Sequence, residues 1–272
     1  MEVIMHLDKT YCETNYSLKY NTQVSGLGAT RANLLRLLRS IDLVGWSTHE
    51  ESGRIDRKAL TRFACGSTAV FSRRHAVEAE RSAVSVLIDC SGSMCDKNAI
   101  ATAESVVIQL ARILDKANVE FSVTGFHGHK SSVSTEATGA NAKDLYARYE
   151  APTFIPFKQW NEPLVKCAAK LGSIHQWADS STPDYSSISL TIDELARRNE
   201  HRKVLFLITD ADGYNTEHMS YLQRLADKVG VRIVAIGIGN TDVKLCFRSS
   251  DDVKNVNDLA SVGFNKIIKE VK

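Results

Sequence analysis

Asp89, Ser91 and Ser93 alternate along Asp89-Cys90-Ser91-Gly92-Ser93-Met94 and bring one carboxylate and two hydroxyls into a very short stretch. Hard oxygen donors of low total charge, with room left for water, suit Mg²⁺ better than a Ca²⁺ cage of several carboxylates; Mn²⁺ and Ca²⁺ stay compatible. The same spacing also describes an ordinary Ser/Gly turn, so the residues in front of it matter. Ala83-Val84-Ser85-Val86-Leu87-Ile88 is short, apolar and β-branched, the pattern of an interior strand of a parallel sheet. Asp89 then stands at the strand's carboxyl end, where open α/β sheets form their ligand crevice. Gly92 permits a tight curl that would let Asp89, Ser91 and Ser93 converge.

In this setting the Asp-x-Ser-x-Ser pattern resembles the metal-ion-dependent adhesion site of von Willebrand factor A (VWA) domains. That resemblance implies two more ligand segments downstream. The family's second loop carries a Thr, often in a Gly-Gly-Thr-Pro-like turn before a helix, and Ser180-Ser181-Thr182-Pro183-Asp184 holds that place, with Thr182 as the matching donor. Thr182 as a helix N-cap is the alternative, and Asp184 is a second candidate for cap or ligand. The third loop is a strand ending in (Ser/Thr)-Asp-Gly. Here Lys203–Ile208 runs into Thr209-Asp210-Ala211-Asp212-Gly213, which assigns Asp210, through water, ahead of Asp212, although the Gly comes two residues late.

Further segments narrow the likeness. Gly53-Arg54-Ile55-Asp56-Arg57-Lys58-Ala59-Leu60, Val70-Phe71-Ser72-Arg73 and Val86–Met94 follow one another as in the cobaltochelatase CobT subunit, across roughly residues 50 to 240. The resemblance implies a Mg²⁺-binding subunit that works with an AAA+ ATPase of the CobS or MoxR kind on a client protein, such as the chelatase large subunit. The ion's open position would receive a partner's Asp or Glu. Alternatives are a VWA interaction or adhesion module unrelated to tetrapyrrole metalation, and a Mg²⁺-dependent phosphohydrolase.

Composition is consistent with a binding subunit. The 272 residues are 43% hydrophobic, enough for a sizeable core, and the formal net charge of +2 marks neither a nucleic-acid polycation nor an acidic tail. No stretch approaches the roughly 18 apolar residues of a membrane span, and charges interrupt the start of the chain where a signal peptide needs an apolar core. The expectation is a cytoplasmic protein without membrane or nucleic-acid partners. Six cysteines form no CxxC pair and no zinc spacing, and read as free thiols. No GxxxxGK[ST] loop and no Gly-x-Ser-x-Gly elbow occur, so no intrinsic catalysis is expected.

The elements that must position these residues alternate as in a doubly wound, mostly parallel α/β sheet flanked by helices, with an N-terminal helical and hairpin extension. The expected division is residues 1–65 as the extension and 66–272 as the VWA domain. Periodicity predicts helices at 30–41, 98–117, 159–172, 186–199 and 216–229, a short helix after Asp56, and strands at 69–74, 119–126, 203–209 and 231–238. Met1 to Gly28 is polar and unassigned. The segment from His127 to Thr138, with His127, His129 and Lys130, reads as a rim loop. Tyr146, Tyr149, Phe154 and Phe157 beside prolines are read as a partner-binding ledge or as sheet-covering core.

Overall fold

The computed structural model describes residues 8–22, 44–76, 81–96, 99–128, 152–239 and 242–253. The expected helix at 30–41, most of the rim loop, and Tyr146 and Tyr149 lie outside these residues. Among the described residues a six-stranded sheet forms the centre, in the order β6-β5-β4-β7-β8-β9. Its strands are β4 (Ser82–Asp89), β5 (Glu120–His127), β6 (Thr153–Lys158), β7 (Arg202–Thr209), β8 (Val231–Ile238) and β9 (Ser250–Val253). All pair in parallel except β6, which is antiparallel to β5. A separate three-stranded antiparallel sheet orders β1 (Val44–Glu50), β3 (Phe71–Ala76) and β2 (Arg54–Ile55).

Every residue of β4 is buried because helices cover both faces of the sheet. Its side chains alternate: Val84, Val86 and Ile88 join one core with helix α4 (Ala99–Lys116), while Ala83 and Leu87 join the other with α6 (Asp184–Ala196) and α7 (Thr216–Lys228). Each fully buried Val, Leu or Ile contributes about 1.5–3 kcal/mol. The chain leaves β4 for β5 on one side and later returns to place β7 on the other. The strand order therefore reverses at β4, and its carboxyl end is the sheet's switch point.

Four local elements depart from the periodicity. Helix α1 (Lys9–Asn21) forms inside the unassigned polar start, capped by Asp8, whose Oδ1 accepts from the N–H groups of Thr10 and Tyr11 at 3.0 and 3.2 Å. The edge strands β6 and β9 are also additions, short segments in which alternation has little length to show. The helix expected over 159–172 is instead broken. Pro163 opens a 3₁₀ turn at Leu164–Cys167, helix α5 holds only Ala168–Leu171, and Ile174–Gln176 is again 3₁₀. The short helical turn after Asp56 is present, with Lys58 N donating to Asp56 Oδ1 at 3.0 Å; it leads into α2 (Leu60–Ala64). Among the described residues no helix is long and apolar enough to cross a membrane.

Helix α1 is clamped to the sheet's helices by one carboxylate. Glu104 on α4 is fully buried and accepts from Asn15 Nδ2 at 2.6 Å, Lys19 Nζ at 2.7 Å, and His175 N and Nδ1 at 2.8 and 2.7 Å. The backbones come so close that a Cβ at Gly172 would collide with the Cys12 carbonyl oxygen. A buried charge this fully partnered is costly to break. We expect Glu104→Ala to lower the unfolding free energy by about 3 kcal/mol or more, read as a fall in the urea midpoint, with a smaller loss for the partly exposed Lys19→Ala.

Candidate metal centre

The candidate residues meet at the switch point because β4 and β7 run in register to Ile88 opposite Ile208, which sets Asp89 beside Thr209. Asp89 is fully buried. Its Oδ1 accepts from Ser91 N at 2.9 Å; Oδ2 lies 2.8 Å from Thr209 Oγ1 and 3.2 Å from the Tyr214 hydroxyl, which are 3.0 Å from each other. All of these donors are neutral, and no Lys or Arg pairs with Asp89 among the described residues. Burial is the largest cause that pushes its carboxyl up to about 6, hydrogen bonds from Ser91 and Thr209 work against the rise, and the charge of Asp210 adds to it. Burial first, then Asp89 and Asp184, drives the Tyr214 hydroxyl well above its ordinary value, so it stays a donor.

Ser91 and Ser93 stand with their hydroxyl oxygens 3.0 Å apart, at the start of helix α3 (Gly92–Asp96). The loop before α6 is pinned against them by backbone hydrogen bonds. Asp179 N donates to Cys90 O at 2.9 Å, Gly92 N to Ser180 O at 3.0 Å, and Gly128 N to Ser181 O at 2.8 Å. Thr182 follows directly. Pro183 caps α6 without any side-chain hydrogen bond, so Thr182 does not serve as the cap. Asp184 is the first helical residue and is buried, with its Oδ1 accepting from Tyr185 N at 2.8 Å. Asp210 is buried while Asp212 is exposed and donates its N–H to Asp210 Oδ1 at 3.2 Å.

The structure thus gathers Asp89, Ser91, Ser93 and Asp210 around one strand end and ties the Thr182 loop to it. Thr209 fills the (Ser/Thr) place of the third-loop pattern, but its hydrogen bond to Asp89 shows only in the structure, and nothing in the sequence ties Tyr214 to Asp89. Gly92 also acts differently from expectation. It does not adopt a left-handed conformation, and a Cβ there would make an ordinary 3.4 Å contact with Ser180 O. Beside the strand end, Ser180 (φ 70°) and Ala211 (φ 51°) are left-handed although neither is glycine.

The donor set fits a small hard dication. Two buried carboxylates and nearby hydroxyls offer oxygen only and lack a neighbouring positive charge at Asp89, the deficit a divalent ion would fill. Among the described residues no three His, Cys, Asp or Glu side chains converge, so a site of this kind depends on hydroxyls. All six cysteines are free, and burial, then the charge of Asp89, pushes the thiol of Cys90 up.

Comparison with known proteins gives the family. The model described as "Cobalamin biosynthesis protein CobT VWA domain" matches residues 70–269. No curated protein matches the sequence. Among solved structures, the pilus adhesin SpaC from Lactobacillus rhamnosus GG aligns at 12% identity and a TM-score of 0.50, covering 72% of this chain and 30% of the adhesin. BatB from Bacteroides thetaiotaomicron aligns at 12% identity and 0.49, covering 69% of this chain and 98% of BatB. A von Willebrand factor type A protein from Catenulispora acidiphila aligns at 14% and 0.43, covering 74% and 44%. At 12% identity the likeness to the adhesin is one of fold alone.

The left-handed backbone at Ser180 generates a prediction. A β-branched side chain is strained there, so Ser180→Val should cost about 1–3 kcal/mol, whereas Ser180→Gly should be neutral within about 0.5 kcal/mol because relieved strain and added unfolded-state freedom offset each other. Urea unfolding of the two variants checks it.

Proposed function

The chain belongs to the family of CobT VWA domains, and from that premise we propose that it is the Mg²⁺-binding subunit of a cobaltochelatase-like complex. Its working unit is residues 66–272, with 1–65 as an extension. It acts in the cytoplasm with an AAA+ ATPase of the CobS or MoxR kind and engages a client, such as a chelatase large subunit, without catalysis of its own. The observation that carries this reading is the buried Asp89, met only by neutral donors at the switch point of the sheet, with Asp210 beside it.

In this proposal Asp89, Ser91, Ser93 and Thr182 hold the ion and Asp210 reaches it through water. When bound, the ion supplies positive charge and an open coordination position for a partner's carboxylate. The chain's own residues do the remaining work. Thr209 and Tyr214 fix the Asp89 carboxylate, and Ser91 N–H holds its other oxygen. The backbone bonds from Asp179 and Gly92 keep the Thr182 loop against the serines. Mn²⁺ or Ca²⁺ would compete for the same oxygens.

Calorimetric titration with MgCl₂ should show one site in the wild-type chain, none in Asp89→Ala, and weaker binding in Thr182→Val. Saturating Mg²⁺ should stabilise the wild type by about 2.7 kcal/mol at one hundred times the Kd. EDTA and Asp89→Ala should each abolish binding to an AAA+ partner ring; unchanged partner affinity in both would defeat the proposal.

A further inference from the structure

Helix α1 packs against α4 and α5, and polar groups seat it there. Of its thirteen residues only Cys12 and Tyr16 are buried, and Tyr16 alone enters the core, with Tyr20 packed beside it. Side chains of α4 hold its far end. Gln109 Nε2 donates to Lys19 O at 2.5 Å and Arg112 Nη1 to Tyr20 O at 2.7 Å, with the Arg112 guanidinium 4.7 Å from the centre of the Tyr20 ring. A helix this short has little stability of its own in water, so α1 lasts only while it is seated. A segment seated with so few buried apolar side chains opens at a lower cost than the core.

Glu104 joins that seating to a second segment, because its two oxygens are divided. Oε1 accepts from Asn15 and Lys19 of α1, while Oε2 accepts from His175 N and Nδ1 in the 3₁₀ turn Ile174–Gln176. Asn15 Nδ2 also donates to Gly172 O at 2.8 Å, and Gln176 Nε2 lies 3.8 Å from Cys12 Sγ, so α1 touches both ends of the stretch 172–176. That stretch leads straight to the metal centre. Trp177 N donates to Ile174 O at 3.1 Å, Asp179 N to Cys90 O at 2.9 Å beside Asp89, and Thr182 follows three residues later. When α1 leaves, Oε1 loses both partners. A buried carboxylate left half-partnered turns towards water to recover them, which draws it off His175 and frees the turn ahead of the Thr182 loop.

We propose that α1 is a latch on the metal centre: seated, it fixes the stretch 172–182 and with it the Thr182 loop; released, it loosens that loop and weakens ion binding. The proposal rests on the metal-binding reading above and adds its regulation. No residue of α1 belongs to the candidate centre, so the effect travels through Glu104 and the backbone behind it. Linkage makes it mutual: an ion held by Asp89 and Thr182 tightens the seating of α1.

Amide hydrogen exchange of the full chain, read by mass spectrometry with and without MgCl₂, tests one direction. Helix α1 should exchange faster than β4, and saturating Mg²⁺ should slow its exchange about fivefold or more. Calorimetric titration with MgCl₂ tests the other. Asn15→Ala and Lys19→Ala should each weaken Mg²⁺ binding about threefold or more, whereas Lys9→Ala, which removes only the exposed pair with Glu13, should bind as the wild type does. Circular dichroism melts check that each variant is folded at the titration temperature. Exchange in α1 as slow as in β4, exchange unchanged by Mg²⁺, or wild-type Mg²⁺ affinity in both network variants overturns the latch and leaves the metal-binding reading standing. A wild-type chain that binds no Mg²⁺ overturns that reading and the latch with it.

Discussion

A carboxylate at the end of a strand buried on both faces governs the rest of this structure. Strand β4 is buried along its length because helices cover both sides of the sheet, and its one ionisable group is Asp89, with no exposed surface. Burying an ionised carboxylate without a cation costs several kcal/mol. The fold offsets part of that cost with Ser91 N–H and the hydroxyls of Thr209 and Tyr214, and the remainder appears as a carboxyl raised to about 6. Tyr214 and Thr209 both descend from β7 and its following loop, so the in-register pairing of β4 with β7 is what lets one strand answer the other's charge.

That constraint extends outward through the backbone. The loop at 179–182 is fastened to Cys90, Gly92 and Gly128, and upstream it passes through Trp177, which packs edge-on against Phe157 of β6. Phe157 in turn sits so close to β5 that a Cβ at Gly125 would stand 2.7 Å from its ring and 2.9 Å from Cys90 Sγ. Three residues before the loop, Gln176 closes a turn onto Ser173, and His175 joins the Glu104 network that holds α1. Helix α1, the edge strand β6 and the strand end with Asp89 therefore share one packed layer, although they lie far apart in sequence.

Much of this was legible in the chain because its signals are local. The apolar runs of β4, β7 and β8 and the spacing of α4, α6 and α7 report a doubly wound sheet directly, and Asp89, Ser91 and Ser93 announce themselves by alternation behind such a run. Other features depend on distant partners and left no local trace. Helix α1 is polar over most of its surface and is held by Glu104, eighty-nine residues away at Asn15, so no apolar stripe marks it. Strand β6 contains Pro156, which argues against a strand until an edge position is known. The helix expected at 159–172 has helical spacing, yet Pro163 fixes an extended start and the chain follows with 3₁₀ turns. Tyr214 could be assigned only once Asp89 was seen to lie within reach of its hydroxyl.

Ser180 and Ala211 bear on how the site is held before any ligand arrives. The VWA resemblance expects glycine near both, at the Gly-Gly-Thr-Pro-like turn and directly after Asp210, and in both places this chain keeps a positive φ while carrying a side chain. A left-handed residue other than glycine costs roughly 1–2 kcal/mol and persists only where its surroundings over-determine it. Those surroundings are visible. Ser180 O receives Gly92 N–H and Ser180 N donates to Asp179 Oδ1 at 2.8 Å, while Ala211 N donates to Thr209 Oγ1 at 2.8 Å and its side chain is buried. The hydrogen bonds that over-determine these two residues are the same ones that place the Thr182 loop against Ser91 and set Thr209 on Asp89. The backbone around the strand end is therefore tied down by hydrogen bonds among the chain's own groups, in the two loops that carry Thr182 and Asp210.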